Sequence, residues 1–263
     1  MGNGKWDEKD TAICLGIGNW LKVNGEAIYA AEKTDLPVQS WGVTTQKGDT
    51  LYAHVFEWPK NGKLIIGGLT SEIDNAWLVS DSQKNQMTLS RINGKDLQVH
   101  LPKHAIDDMN TVIALTIKQR KPAYPIRLIG DKTNNILYVF DSERMGEGLR
   151  FGDGKPNRNY VSNWSRNDQW MEWKARINST TTYDIYLDYN TRSNKDTGTV
   201  LITIDGKNFT VNYTSYPESQ GTKSIRVGKI KLNPYEFICT LKGKEFTGNQ
   251  YLNPIAVRLE KIN

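Results

Sequence analysis

The chain has 263 residues, with 38% hydrophobic and 10% aromatic residues. That composition is too rich in rings for a disordered polypeptide, and the length suits one large domain or two ordinary ones at about 100–200 residues each. The formal net charge is +5, and the excess is uneven: residues 1–120 hold 13 basic against 14 acidic side chains, residues 121–263 hold 21 against 15. The basic residues of the second half are interspersed with Asp and Asn instead of forming the stripe a nucleic-acid binder carries, so they read as a solvated surface and no nucleic-acid partner is expected. No apolar run approaches the roughly 18 residues of a membrane helix, so no membrane span is expected. The N-terminus lacks the basic-then-apolar pattern of a signal peptide. Cys14 and Cys239 are too few for a disulfide framework and have no metal-ligand spacing; both read as buried free thiols.

In chain order, one helical pattern comes first. Asp7 is a suitable N-cap with Asp10 three residues on, Ile13, Ile17, Trp20, Leu21 and Ile28 recur at helical spacing, and Asn24-Gly25 is a stop signal, which predicts a helix over 7–23. Everything after it reads as strands: 51–58, 63–66, 76–79, 88–92, 97–101 and 111–117, with hairpin signals at Asn61-Gly62 and Asn93-Gly94. The polar segment 118–125, with Pro122 and Pro125, reads as a domain boundary. A second set of strands follows at 136–140, 170–177, 183–189, 200–204, 209–213, 225–232, 237–241 and 255–261, with Asp205-Gly206 as a hairpin turn. The expected fold is all-β: two antiparallel β-sandwiches of jelly-roll type preceded by one helix. Long polar loops on such scaffolds, here 146–168, are where binding residues concentrate.

No catalytic constellation is present. His100 and His104 are four apart but Pro102 lies between them and breaks any shared helix. No nucleophile elbow, Walker loop or dinucleotide fingerprint occurs. Asp141, Glu143, Asp153 and Asp168 lack the regular alternation of a calcium loop. The residues give no catalytic site, no metal site and no cofactor.

The stretch Ile17-Gly-Asn-Trp-Leu-Lys-Val-Asn-Gly-Glu-Ala-Ile-Tyr29 resembles the segment that closes the catalytic barrel of glycoside hydrolase family 29 α-L-fucosidases. Val43-Thr-Thr45, Lys47-Gly48, Leu51-Tyr-Ala53, Trp58-Pro59 and Leu101-Pro102 are similar to that family's C-terminal sandwich. The resemblance covers about residues 1–117. It implies a division into 1–30, the end of a barrel with Met1-Gly-Asn-Gly-Lys-Trp6 as its last loop, 31–120, the fucosidase C-terminal sandwich, and 121–263. In that family the nucleophilic aspartate and the acid/base residue lie upstream of the helix. No position here matches them, so no α-L-fucosidase activity is expected from this chain alone. The expectation is a start at an internal methionine, a split gene or a cut sequence, with the absent barrel as a partner and a periplasmic or cell-surface location for a full-length parent. A helix built for two neighbours would then leave part of its apolar face, at Ile13, Ile17, Trp20 and Leu21, uncovered.

Asn167-Asp-Gln-Trp170-Met-Glu-Trp173-Lys-Ala-Arg-Ile177 and Thr182-Tyr-Asp-Ile-Tyr-Leu-Asp-Tyr189 resemble jelly-roll carbohydrate-binding modules of family 6. Two departures stand out: Gln169 separates Asp168 from Trp170, and Thr182 replaces the usual glycine. Trp170 reads as a core residue. Trp164, isolated in a polar loop, is the expected sugar platform, with Tyr216 or Tyr213 as the second ring and Asn163, Arg166, Asn167 and Asp168 bonding hydroxyls of a fucosylated or other oligosaccharide. Two other functions stay open: a structural or partner-binding sandwich that holds no sugar, and a self-sufficient glycosidase.

Overall fold

The computed structural model describes residues 7–130, 134–155 and 158–262. The stretch Met1–Trp6, expected to end a barrel loop, lies outside them. The chain divides into two compact units, Met1–Pro125 and Ile126–Asn263.

Unit 1 opens with α1 (Glu8–Asn24). The Asp7 carboxylate accepts from the Asp10 backbone N–H at 2.8 Å, and Glu8 and Asp10 place negative charge at the positive end of the helix dipole. A short 3-10 turn (Gly25–Ala27) ends it. Eight strands follow: β1 (Glu32–Lys33), β2 (Gly42–Lys47), β3 (Thr50–Val55), β4 (Lys63–Gly67), β5 (Glu72–Leu78), β6 (Leu89–Asn93), β7 (Asp96–His100) and β8 (Thr111–Gln119). They form a five-stranded sheet, β1-β2-β3-β8-β5, and a three-stranded sheet, β4-β7-β6.

Strand alternation explains the layers. Leu51, Ala53 and Val55 of β3 join Leu64, Ile66, Leu97, Val99, Ile113 and Leu115 in one buried core. Tyr52 belongs to the opposite face, where Ala27, Trp77, Val112 and Ala114 form a smaller cluster with Trp20 of α1 packed against it. Asn93-Gly94 does close a hairpin between β6 and β7. Asn61-Gly62 does not: β3 and β4 lie in different sheets, and the turn, with Gly62 N–H bonded to Pro59 at 3.0 Å, carries the chain across between them.

The described residues of unit 2 form twelve strands: β9 (Arg127–Leu128), β10 (Asn135–Tyr138), β11 (Glu143–Met145), β12 (Arg150–Phe151), β13 (Val161–Ser162), β14 (Trp170–Arg176), β15 (Thr181–Asn190), β16 (Thr197–Ile204), β17 (Lys207–Tyr213), β18 (Lys223–Leu232), β19 (Glu236–Thr247) and β20 (Asn253–Lys261). One sheet runs β10-β20-β15-β18; the other runs β11-β14-β19-β16-β17, with β9 parallel beside β14. A small β12-β13 hairpin stands apart. Tyr183, Ile185, Leu187 and Tyr189 of β15 are all buried, whereas Asp184 and Asp188 point out and pair with Arg226 and Arg258. Asp205-Gly206 turns β16 into β17 with both φ angles positive, the primed turn that suits strand twist. Among the described residues both units are therefore all-β, their named strands antiparallel apart from β9, with one α-helix at the start of unit 1.

Two further expectations change. Cys239 is buried, but Cys14 is exposed on α1. Trp173 is the core tryptophan of β14, while Trp170 faces outward and lies under the Lys242 ammonium at 4.5 Å. Spacing by three on a strand puts the two rings on opposite faces, and Trp173 shares the inward face with buried Met171 and Ala175.

Candidate functional site

The expected sugar platform is part of the core. Trp164 is 0% exposed; its indole N–H donates to the Gln169 carbonyl at 2.9 Å, and its ring lies 4.9 Å from Tyr251. The Tyr251 backbone N–H in turn bonds the Trp164 carbonyl at 2.7 Å. Gln169 shapes this loop from a buried position: its side-chain oxygen accepts from the backbone N–H of Ser165 and Arg166, both at 2.9 Å, and its amide donates to Glu147. The same glutamine is the insertion that separates Asp168 from Trp170 in sequence. The surrounding polar side chains are engaged as well. Arg166 and Asp168 pair through two hydrogen bonds of 2.8 and 2.9 Å, Asn167 accepts from Tyr251 Oη, and Asn163 donates to Gly148.

Tyr213 is likewise interior, 2% exposed and edge-on to Tyr189 at 6.0 Å, with burial pushing its phenol up. Neither ring can offer a face to a ligand. Tyr216 differs. It is half-buried in the loop after β17, held by its backbone: its N–H donates to Thr191 Oγ1 at 2.9 Å and its carbonyl accepts from Thr191 N–H at 2.8 Å. Lys223 lies 5.9 Å from the centre of the ring.

Two residues beyond Tyr216, Glu218 organises a polar cluster. Its carboxylate accepts from Arg158 Nε at 2.6 Å and from Tyr160 Oη at 2.8 Å, and Arg158 also reaches Asp153 at 3.3 Å. Burial and the adjacent Glu218 carboxylate push the Tyr160 phenol up to about 12, so it is a hydrogen-bond donor at neutral pH. The sequence reading missed Arg158, Tyr160 and Glu218. Their partnership joins a loop before β13 to one after β17, and nothing local signals it. This part of unit 2 thus carries a half-buried ring with an ammonium near it and, two residues further along the chain, a cluster of carboxylate, guanidinium and phenol groups, side-chain types that stack on sugar faces and bond hydroxyls.

The four carboxylates weighed for calcium each face a cation of their own: Asp141 faces Arg127, Glu143 Lys174, Asp153 Arg158 and Asp168 Arg166. Among the described residues no three His, Cys, Asp or Glu side chains converge as metal ligands. His100 is bonded by Ser90 and Gln98.

In unit 1 the notable surface is α1. Among its residues only Asn24 is buried; Ile13 and Ile17 are 61% and 55% exposed, and Val23 is exposed too. Trp20 and Leu21 are half-buried, and Trp20 packs against the cluster on the sheet. Apolar faces left open on a folded unit are characteristic of interaction surfaces.

Residues 36–120 match the family described as the alpha-L-fucosidase C-terminal domain. Tissue alpha-L-fucosidase of Bos taurus is 32% identical over 106 residues, covering 40% of this chain and 22% of that protein. Alpha-L-fucosidase of Dictyostelium discoideum is 34% identical over 116 residues, covering 42% and 22%. This chain is thus similar to the C-terminal portion of α-L-fucosidases, and the matches span about a fifth of those curated relatives. The crystal structure of alpha-L-fucosidase from Vibrio sp. strain EJY3 superposes with a TM-score of 0.64 at 20% identity, over 98% of this chain and 46% of that one. At that identity the likeness is one of fold. No described helix is long and apolar enough to cross a membrane.

Proposed function

We propose that the chain is a non-catalytic C-terminal portion of an α-L-fucosidase, in which unit 1 braces a catalytic barrel through the open face of α1 and unit 2 holds glycan weakly beside Tyr216. The observation that carries this reading is the pairing of the family match over 36–120 with the uncovered apolar face at Ile13 and Ile17. A free helix face costs water-exposed apolar area that a docked domain would remove, at about 25 cal/mol per Å². The polar cluster around Glu218 supplies hydroxyl partners for a sugar stacked on Tyr216, and a single half-buried ring fits binding in the millimolar to high-micromolar range, about −4 to −6 kcal/mol.

Sedimentation of the 1–263 chain against the double variant Ile13→Ser/Ile17→Ser tests the brace. An open docking face makes the chain self-associate as its concentration rises, and the variant stays monomeric with an unchanged unfolding midpoint. Equal sedimentation together with a lowered midpoint in the variant means the face is already covered, and the reading fails.

A further inference from the structure

His54 of β3 sits on the outer face of the five-stranded sheet, 2% exposed and beneath Trp20, with ring centroids 6.4 Å apart. Both of its ring nitrogens have partners. The Thr45 hydroxyl gives its single proton to the Ala27 carbonyl at 2.7 Å, so at 3.0 Å it accepts from His54 Nε2, which fixes that nitrogen as the protonated one. Nδ1 then holds a lone pair toward the Asn110 side-chain amide nitrogen at 3.4 Å. The other end of the same amide, Asn110 Oδ1, is buried without a hydrogen-bond partner among the described residues. The Asn110 backbone carbonyl accepts from Trp20 Nε1 at 2.9 Å. One asparagine therefore touches both the histidine and the tryptophan that holds α1.

A buried acceptor left unbonded is costly, and here the idle oxygen belongs to the group that already faces the imidazole. Turning the carboxamide over would present that oxygen to Nδ1, which needs a proton there to be satisfied. The neutral ring suits the amide nitrogen; the charged ring suits the amide oxygen.

We propose that His54 and Asn110 form a proton-operated catch beneath α1: one proton from solvent binds the Nδ1 lone pair, and the Asn110 carboxamide turns over so that its oxygen accepts from the new N–H. No other bond is made or broken. The catch lies where α1 and the 3-10 turn after it meet the sheet, since Trp20 donates to the Asn110 backbone carbonyl and Thr45 donates to the Ala27 carbonyl, and its state is transmitted to the helix through that shared asparagine. It stands on the geometry of unit 1 and is independent of any glycan.

The surrounding charges leave the ring to this pair. The elements packed around His54 bring Lys22 of α1, which donates to Asn19, and Glu26 of the 3-10 turn, which acts on Tyr52. They also bring Lys47 of β2, which donates to Tyr29, and Asp107 in the loop before β8, whose carboxylate accepts from the Met109 and Asn110 backbone N–H groups. Toward the ring β5 and β8 present Trp77, Val112 and Ala114. Among the described residues no carboxylate is ion-paired with the imidazole. Burial holds the ring below the ordinary histidine value, with the Ala27 carbonyl pulling the other way.

The test is nitrogen-15 NMR of the histidine rings and asparagine side-chain amides of the 1–263 chain, from about pH 4 to pH 8, the range in which imidazoles titrate. The expected result is that the Asn110 carboxamide signals move with the same midpoint as His54, and the Trp20 indole N–H loses exchange protection along with them. Asn110→Leu should lower the His54 midpoint by about one pH unit, the shift produced by losing one hydrogen bond to a charged group. Asn110→Asp, which keeps the shape and folds if the leucine variant does not, should raise it. Asn110 signals that stay flat while His54 titrates, or a midpoint unchanged in both variants, would overturn the proposal.

Discussion

The Trp20 indole N–H donates to the backbone carbonyl of Asn110 at 2.9 Å, joining the middle of α1 to the loop that precedes β8. The helix has little else to hold it. Its other large apolar side chains are exposed or half-buried, and most of a helix's stability in a protein comes from tertiary packing. The helix persists because Trp20 packs on the small cluster of Tyr52, Trp77 and Val112 and finds a partner for its N–H there.

Trp20→Ala should therefore release the helix from the sheet while leaving the sandwich core intact. The expected cost is about 3 kcal/mol, toward the low end for a half-buried ring, and hydrogen exchange over residues 8–24 should rise more than over β3 or β8. Exchange rising equally in all three segments would mean that α1 and the core unfold together.

Trp164→Ala should behave as a core deletion in unit 2, costing about 3–5 kcal/mol, because the ring is closed in by Tyr251 and its N–H is bonded to Gln169. Tyr216→Ala should leave the unfolding midpoint nearly unchanged and instead weaken binding of fucosylated oligosaccharides. Denaturation curves and glycan titrations on the two variants separate the roles. A Trp164 variant of wild-type stability with weakened glycan binding would restore the platform expected from sequence.

Gly243→Ala should perturb the same region from a distance in sequence. A Cβ at Gly243 would lie 2.3 Å from the Tyr251 ring, so the tyrosine must move, and with it the Trp164 contact and the Asn167 hydrogen bond. Overpacking of this kind costs about 1–3 kcal/mol. Near-ultraviolet circular dichroism together with the unfolding midpoint reads both the ring displacement and the loss.

Stability should fall in acid in two stages. His54 is held below its unfolded value of about 6.5, so the unfolded chain binds the proton first and unit 1 loses stability as pH falls from there toward the folded value. Asp153 and Asp168 are held below the usual aspartate range by backbone N–H and Arg158 and by Arg166, respectively. Their contribution is present above about pH 3.9 and disappears below it. Denaturant midpoints measured across the acid range, with His54→Gln removing the first stage, check the order.

The reach of the sequence is clear in particular residues. Asp7 and the Asn24-Gly25 stop lie in local spacing, and the helix they bound runs from Glu8 to Asn24. Asp205-Gly206 announced its hairpin for the same reason. Trp164 was misread because its partner Tyr251 comes from a distant part of the chain, and a polar loop gives no local sign of a ring folded inward. Asn61-Gly62 was misread because a turn signal does not reveal which sheet the next strand will join. The Arg158–Glu218–Tyr160 cluster and the His54–Asn110 contact are tertiary in origin and have no periodicity to betray them.

The central claim, that this chain serves an α-L-fucosidase without performing its chemistry, is tested most directly by turnover of a chromogenic α-L-fucoside. The purified 1–263 chain should show none above a buffer blank at any pH where it stays folded. Sustained turnover that disappears when a single carboxylate of this chain is replaced by its amide would contradict the account.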